Sequence, residues 1–591
     1  MHLDFKPASK KKSDTAPKRN KITFGFAAGL ILIIAATLLY RLLYIDTADH
    51  SFLTQQAQHQ IVQTENLTAT RGIIFDRHNI PLAVSTTLYK VILNIHIMSK
   101  FPKKYAELSH LNLPQLNKEH LNKLIQNQPN SRYHIALQYI TPRQAKALKA
   151  LHVPGVYLKK HLRTYYPEGN AMAQLVGFTN ANDQGQAGIE AIENKELHAR
   201  SGIETVETDS RGNIIKILKP AKHFHQGENI HLSIDAHIQE FAFDALKKGV
   251  IDADANSGAV AVINPQTGEV LAAASYPSFN PNQFSTRTGR NIAERPIIDT
   301  FEPGSTMKPF IVAMGLKSGK YTPNTLIDTS PGSYDLQGHV IKDDADFGTI
   351  TVTQVLQKSS NIGISKIALS LDRNNVGDFL RKLGFGSQLG YAFPGEDSGF
   401  LPLLSSLGKF SYATTAFGYG MTTSVLQLAH AYTIFANNGK LCPLSLLKDK
   451  QPPTCPQALA PKYADAVRKM LHSVVTVHGT GVLATIPGFE VGGKTGTTHK
   501  VANGKFLPHS YNAIFAGLAP LHNPKLVIVV WIDNPKKNHF YQYGGVSAAP
   551  IFASIAKNSL EYLGTPYHES LKKYKLLNQN KAWLLHVIEN N

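Results

Sequence analysis

AVAVINPQTGEVLAAASYP (residues 259–277) reads as two apolar strands joined by a Pro265-Gln266-Thr267-Gly268 turn, a strong hairpin signal. A second hairpin lies near the far end of the chain. There NAIFAGLAP (512–520) and KLVIVVWIDNP (525–535) flank a Pro/Asn turn at 520–524. Between the two hairpins the sequence is largely helical in pattern, beginning with MKPFIVAMGL (307–316). Strands at both ends and helices between predict an α+β domain, an antiparallel sheet covered by helices.

Upstream, NIHLSID (229–235) reads as a short strand and IQEFAFDALKKGV (238–250) as a helix, so a domain of residues 229–562 is expected. Residues 46–228 read as a separate mixed, β-rich region. In it HIALQYI (134–140) is a strand, Thr141-Pro142 opens a helix with Thr as N-cap, and GVYLKKHLRTYY (155–166) is extended. At 591 residues the chain is too long for one core.

ITFGFAAGLILIIAATLLY (22–40) carries no charge, and LLYI after Arg41 extends the run. At about 1.5 Å per residue this stretch crosses a hydrocarbon core of about 30 Å. Residues 22–45 are therefore expected to span a membrane. Seven Lys or Arg against two Asp in residues 1–21 make that segment a cytoplasmic tail and place the later domains outside. A cleaved signal peptide is the competing reading, but the run is long for one and no small-x-small site follows. The net charge of +19 suits a neighbour such as anionic lipid or an anionic polymer, or only a basic surface. No basic-aromatic block or nucleic-acid motif occurs, so nucleic acid is not an expected partner. Two cysteines, Cys442 and Cys455, and 25 histidines without HExxH spacing give no metal site. Outside the cytoplasm the two cysteines could pair.

Ser305-Thr306-Met307-Lys308 follows Pro303-Gly304 at the start of an apolar helix, with Gly319 as a stop. Residues three apart share a helix face, which brings the lysine amine toward the serine hydroxyl. A serine needs an adjacent base to attack at neutral pH, and a buried lysine with a lowered pKa is such a base. The spacing alone decides nothing, because Ser9/Lys12, Ser406/Lys409, Ser445/Lys448, Ser554/Lys557 and Ser570/Lys573 share it. Ser305 alone is followed in order and at sensible spacing by Ser359-Ser360-Asn361, about 54 residues on, and then Lys494-Thr495-Gly496, with Thr497 after it. Separately, Ser360 and Asn361 could merely cap a helix, and 494–496 could be a plain strand edge.

That ordered trio is the set found in penicillin-binding proteins and β-lactamases. FEPGSTMKP (301–309), KSSNIGISKIAL (358–369), FGYGMTTSVLQLAHAY (417–432) and GGKTGTT (492–498) resemble the class B penicillin-binding proteins. So do RGIIFDRHNIPLA (71–83), with Asn79 where Gly is usual, RTYYPEGNAMAQLVGFTN (163–180) and GQAGIEAIENKELHARSG (185–202). The resemblance runs from about residue 20 to 560, and FEPGS with SSNIG is most similar to the cell-division, FtsI-type branch. Phe417 and Thr423-Ser424 depart from that branch's usual Tyr and Val-Thr.

The resemblance implies a membrane-anchored D,D-transpeptidase that cross-links septal peptidoglycan. It implies a dimerisation-type pedestal at 46–228, a β-lactamase-like transpeptidase domain at 229–562, a tail at 563–591 of unread role, and no cofactor. Ser305 would attack a D-Ala-D-Ala stem peptide, with Lys308 as base. Ser360 would bridge Lys308 to the leaving amine, and Ser359 and Asn361 would line the substrate. Lys494 would tune Lys308. Thr495, Gly496 and Thr497 would hold the substrate carboxylate, and the Ser305 and Thr497 N–H groups would form the oxyanion hole. Arg71, Asp76, Arg77, Arg163 and Glu190 would hold the pedestal together. Implied partners are stem peptides, β-lactams, membrane lipid, a lipid-linked glycan polymerase and other division proteins at the inner membrane. A class A β-lactamase would need a Glu-x-x-x-Asn loop between Asn361 and Lys494, and none is found. Only about 25 residues separate the apolar run from Arg71, too few for a glycosyltransferase domain. The remaining alternatives are an elongation-specific transpeptidase and a non-catalytic scaffold.

Overall fold

The computed structural model describes residues 20–567, apart from 112, 210, 212, 391–392, 449–450 and 503–504. The basic segment up to residue 19 and the tail from 568 onward lie outside the described residues. Two compact units result, one joining the chain up to Ala69 with Arg200–His225, the other holding Thr70–Ala199 and everything from Gln226. Residues 46–228 are thus divided between the units.

In the first unit, helix α1 (Asn20–Thr47) has a mean hydropathy of 2.2 over Phe24–Thr47 and leaves its apolar side chains uncovered. At about 1.5 Å per residue its 28 residues span about 42 Å. Among the described residues it is the helix with the length and composition of a membrane span. A three-stranded antiparallel sheet follows, with Gly202–Thr208 between Val62–Leu67 and Ile214–Lys219.

The N-terminal part of the second unit is built on the strand Pro81–Leu93, which pairs antiparallel with His134–Ile140 and Val156–Tyr165. Thr141 caps the helix Pro142–Ala150 through a reciprocal box with Gln144. Asn79 has a φ of +66°, the left-handed region that Asn tolerates better than other side-chain-bearing residues, so it serves where Gly is usual. Arg71 and Glu190 form a fully buried ion pair at 2.6 Å. The Arg71 guanidinium also reaches Asn194 and the Asp183 carbonyl, so its donors are satisfied inside the protein.

Helix α2 (Ala236–Asp252) opens the C-terminal part, N-capped by Asp235. Strands β1 (Ser257–Ile263) and β2 (Val270–Tyr276) form the first hairpin. Helices α3 (Lys308–Lys317), α4 (Asn361–Leu369), α5 (Val425–Ala436) and α6 (Pro461–Val474) make the central lobe. Strands β3 (Gly492–Ala502), β4 (Lys505–Ala519) and β5 (Leu526–Asp533) and helix α7 (Ala549–Tyr562) complete it. The sheet is antiparallel throughout, in the order β2-β1-β5-β4-β3. Alternation sends Ala259, Ala261 and Ile263 into the core shared with α3–α6, and Val260 and Val262 into the core under α2 and α7. Burial on both faces explains why these strands read as continuous apolar runs. Cys442 and Cys455 are joined by a disulfide, and the Cys442 sulfur lies beside Gln266 in the β1–β2 turn.

Removing one member of a buried ion pair strands its partner, at a cost of about 3–5 kcal/mol. Glu190→Ala should therefore lower the thermal midpoint of the purified protein by several degrees. A midpoint equal to wild type would show that Arg71 finds another partner.

Candidate active site

Ser305 lies on a tight turn, Gly304–Met307, that runs directly into α3. Its side chain is half-buried, while Thr306, Met307 and Lys308 are buried. The turn is pressed against the edge strand β3 by contacts only glycine permits. Gly304 has a φ of +56°, and a Cβ there would sit 2.6 Å from the Thr498 methyl. At Gly496 a Cβ would sit 2.9 Å from the Pro303 carbonyl oxygen. From the other side the Tyr432 hydroxyl of α5 donates to the Thr306 carbonyl at 2.7 Å. The sequence Gly-Ser-x-x-Lys thus folds as a backbone turn clamped between α5 and β3.

Lys308 has no exposed surface. Its amine donates to the Ser359 carbonyl, to Asn361 Oδ1 at 2.8 Å and to Ser359 Oγ at 3.2 Å. The Phe417 ring centroid lies 6.0 Å from the same nitrogen. Among the described residues, none of its hydrogen bonds goes to the Ser305 hydroxyl. Such bonds are often loose before substrate arrives. Lys494, also without exposed surface, donates to Ser359 Oγ at 3.0 Å and to the carbonyl and hydroxyl oxygens of Thr495. One serine hydroxyl is therefore shared by two buried amines.

Burial pushes the Lys308 amine down to about 7, against the opposing pull of Asp343 and Asp344. Lys494 is pushed down as well, by burial first and by Lys308 second. Two amines this close and this dry do not both stay protonated.

The shared hydroxyl belongs to Ser359, and this corrects the expectation that Ser360 bridges Lys308. Ser359 has a φ of +61°, a left-handed conformation uncommon for a residue with a side chain, and this aims its hydroxyl at the lysines. Ser360 follows in extended backbone as the N-cap of α4. Its hydroxyl accepts from the Gly363 N–H at 2.8 Å and donates to Asp343, and it has no exposed surface.

Asp343, which no motif flagged, also accepts from the Asn361 and Ile362 N–H groups. Asn361 Nδ2 donates to the Lys342 carbonyl at 2.9 Å. A segment about 17 residues upstream thus fixes the Ser359–Asn361 loop from below. Thr495 is buried and its hydroxyl meets that of Thr480 at 2.7 Å, a second partner the sequence did not reveal. Thr497 accepts from the Gly544 N–H at 3.2 Å and keeps its own hydroxyl proton to give. No group of His, Cys, Asp and Glu able to hold a metal is found among the described residues.

Residues 258–557 match the penicillin-binding protein transpeptidase domain, and residues 66–232 match the penicillin-binding protein dimerisation domain. A probable peptidoglycan D,D-transpeptidase, PbpC, of Pseudomonas aeruginosa is 35% identical over 550 residues, covering 93% of this chain and 96% of that protein. The peptidoglycan D,D-transpeptidase FtsI of Escherichia coli K12 is 34% identical over 553 residues, covering 91% and 92%. The solved apo transpeptidase domain of penicillin-binding protein 3 from Burkholderia pseudomallei is 40% identical, with a TM-score of 0.53 over 57% of this chain and 98% of that one. With the dimerisation domain, the transpeptidase domain and relatives of this kind aligned over nearly its whole length, the chain belongs to the class B penicillin-binding proteins, the serine-type peptidoglycan D,D-transpeptidases.

Proposed function

We propose that this enzyme cross-links stem peptides of the septal cell wall during division, with Ser305 as nucleophile and Lys308 as its base. The supporting observation is the single Ser359 hydroxyl held between two fully buried lysine amines. As an ammonium Lys308 donates to Ser359 O, Asn361 Oδ1 and Ser359 Oγ; as a neutral amine it keeps its two protons on the two carbonyl-type acceptors and lets go of Ser359 Oγ. Its lone pair is then left for the Ser305 proton. The Ser305 oxygen attacks the penultimate D-Ala carbonyl, and the Ser305 and Thr497 N–H groups receive the oxyanion. One such donor is typically worth about 10²–10³ in rate. Ser359 then passes a proton from Lys308 to the departing D-Ala amine. The acyl group waits on Ser305 until an acceptor amine takes it.

Lys494, Thr495 and Thr497 bind the substrate carboxylate. Its negative charge offsets the burial that pushes Lys494 down, so Lys494 keeps its proton while Lys308 gives up its own. A penicillin resembles the same peptide end and acylates Ser305. The basic flank before α1 supports a periplasmic position for the catalytic part. The septal assignment draws on the FEPGS and SSNIG segments and on the FtsI relative, and division proteins with a lipid-linked glycan polymerase are the fitting partners.

Fluorescent penicillin should label the purified protein, and Ser305→Ala should abolish labelling. Depletion in the parent bacterium should give filaments, and round cells would sink the septal assignment. Below about pH 7 Lys308 carries a proton and has no lone pair. The acylation rate constant should therefore fall about tenfold per pH unit below that value and be flat above it. A rate independent of pH between 5 and 8 would remove Lys308 as base. Ser359→Ala should slow acylation by about 10²–10⁴. Ser360→Ala should instead cost about 0.5–2 kcal/mol of stability as a lost N-cap, seen in the melting midpoint.

A further inference from the structure

A cavity of about 290 Å³ lies in the second unit, away from Ser305. Its walls come from the N-terminal sheet (Gln138, Tyr139, Arg163, Tyr165) and from the catalytic part's segment Pro281–Arg287. Two of its lining residues are arginines and none is Asp or Glu. The nearby Asp183 carboxylate already accepts the Thr164 hydroxyl, and the Asp183 carbonyl takes a bond from Arg71.

Both guanidiniums lie over aromatic rings. Arg163 lies 4.6 Å from the Tyr139 centroid. Arg287 lies 4.3 Å from the Phe178 centroid and 5.8 Å from that of Phe284. A cation over a ring face is attracted by the ring and held in place. Backbone carbonyls take some of these donors: Asn180 O accepts from Arg163, and Thr179 O and Pro281 O accept from Arg287. Arg287 Nε is buried and has no acceptor. Burial holds the Arg287 pKa below its ordinary value, and the neighbouring Arg163 adds to this. Phe284 stands at the rim with 81% of its surface exposed, and the Gln138 side chain beside it is exposed too. A pocket lined by two arginines and no acid, with an amide and an exposed aromatic ring, is complementary to a carboxylate attached to an amide- and hydroxyl-rich body.

We infer that this cavity is a second peptidoglycan-binding site, taking a stem-peptide carboxylate on Arg163 and Arg287 with its sugar or peptide backbone against Phe284. No chemistry occurs there. It holds a strand that is not being acylated, and the loop 281–287 links it to the catalytic part. A carboxylate on a stem peptide and a phosphate on a lipid headgroup share the anionic chemistry, so the test must part them.

The full-length protein in detergent is first acylated with fluorescent penicillin, which blocks Ser305 and counts the folded molecules. A soluble disaccharide-tetrapeptide is then titrated and binding is normalised to the label. The acylated wild type should bind it saturably. The double variant Arg163→Gln, Arg287→Gln should bind about tenfold or more weakly, since each guanidinium–carboxylate contact is charge-assisted. Phe284→Ala should weaken binding severalfold. If the double variant takes no penicillin, Phe284→Ala decides alone, because so exposed a ring carries little of the fold. The inference is overturned if acylated wild type shows no saturable binding, or if the folded variants bind as wild type does. It is equally overturned if inorganic phosphate or vesicles of anionic phospholipid bind this cavity and the disaccharide-tetrapeptide does not.

Discussion

Two lysine amines with no exposed surface meet at one serine hydroxyl, and the rest of the catalytic domain is arranged to make that tolerable. Taking an ammonium out of water costs several kcal/mol even after relaxation. At Lys308 the protein meets that cost by letting the charge go rather than by pairing the amine with a buried acid. The first effect on both amines is desolvation; Asp343 and Asp344 only moderate it at Lys308, and Asp344 at Lys494. A base that is neutral near pH 7 is the direct result. The same groups fully hydrated would be ammonium ions and chemically inert toward a serine.

Such dryness needs close walls, and those walls are backbone. Gly304 touches Thr498 and Gly496 touches Pro303 at separations that exclude any side chain. The turn carrying Ser305 and the edge strand carrying Lys494 therefore approach with a glycine at each contact. Tyr432 from α5 ties down the Thr306 carbonyl, which keeps the turn from lifting away. The Ser359–Asn361 loop is held in a left-handed kink that is unfavourable by itself and persists because its surroundings fix both ends. Strain at that serine is what points its hydroxyl at the lysines while its neighbour serves as a helix cap.

These details mark where sequence reading succeeds. The hairpin at 259–277, the Thr141 cap and the strand at 134–140 depend on residues next to one another, and the structure has all three. The ordered motifs at 305, 359 and 494 were readable because each is a short contiguous string. Ser359 and Ser360, by contrast, are the same residue type side by side, and only a φ angle separates their roles. Asp343 and Thr480 reach the site through folding from segments with no motif. The division near Ala69 and Arg200 was equally hidden, because a strand returning at 202–208 to pair with 62–67 leaves no local sign in either segment.

Asp343 shows how tightly shape and electrostatics are coupled here. Its carboxylate accepts from Ser360, Asn361 and Ile362, which is where the positive end of the α4 dipole collects. In that role it holds the loop that presents Ser359. Its charge also favours the protonated form of Lys308, the form that cannot act as a base. The two effects oppose each other, and distance settles the balance. Among the described residues the acid binds the helix N–H groups directly and has no hydrogen bond to Lys308, so its charge is largely spent on the cap. Moving that carboxylate one position closer to the amine would strengthen the ion pair and weaken the base.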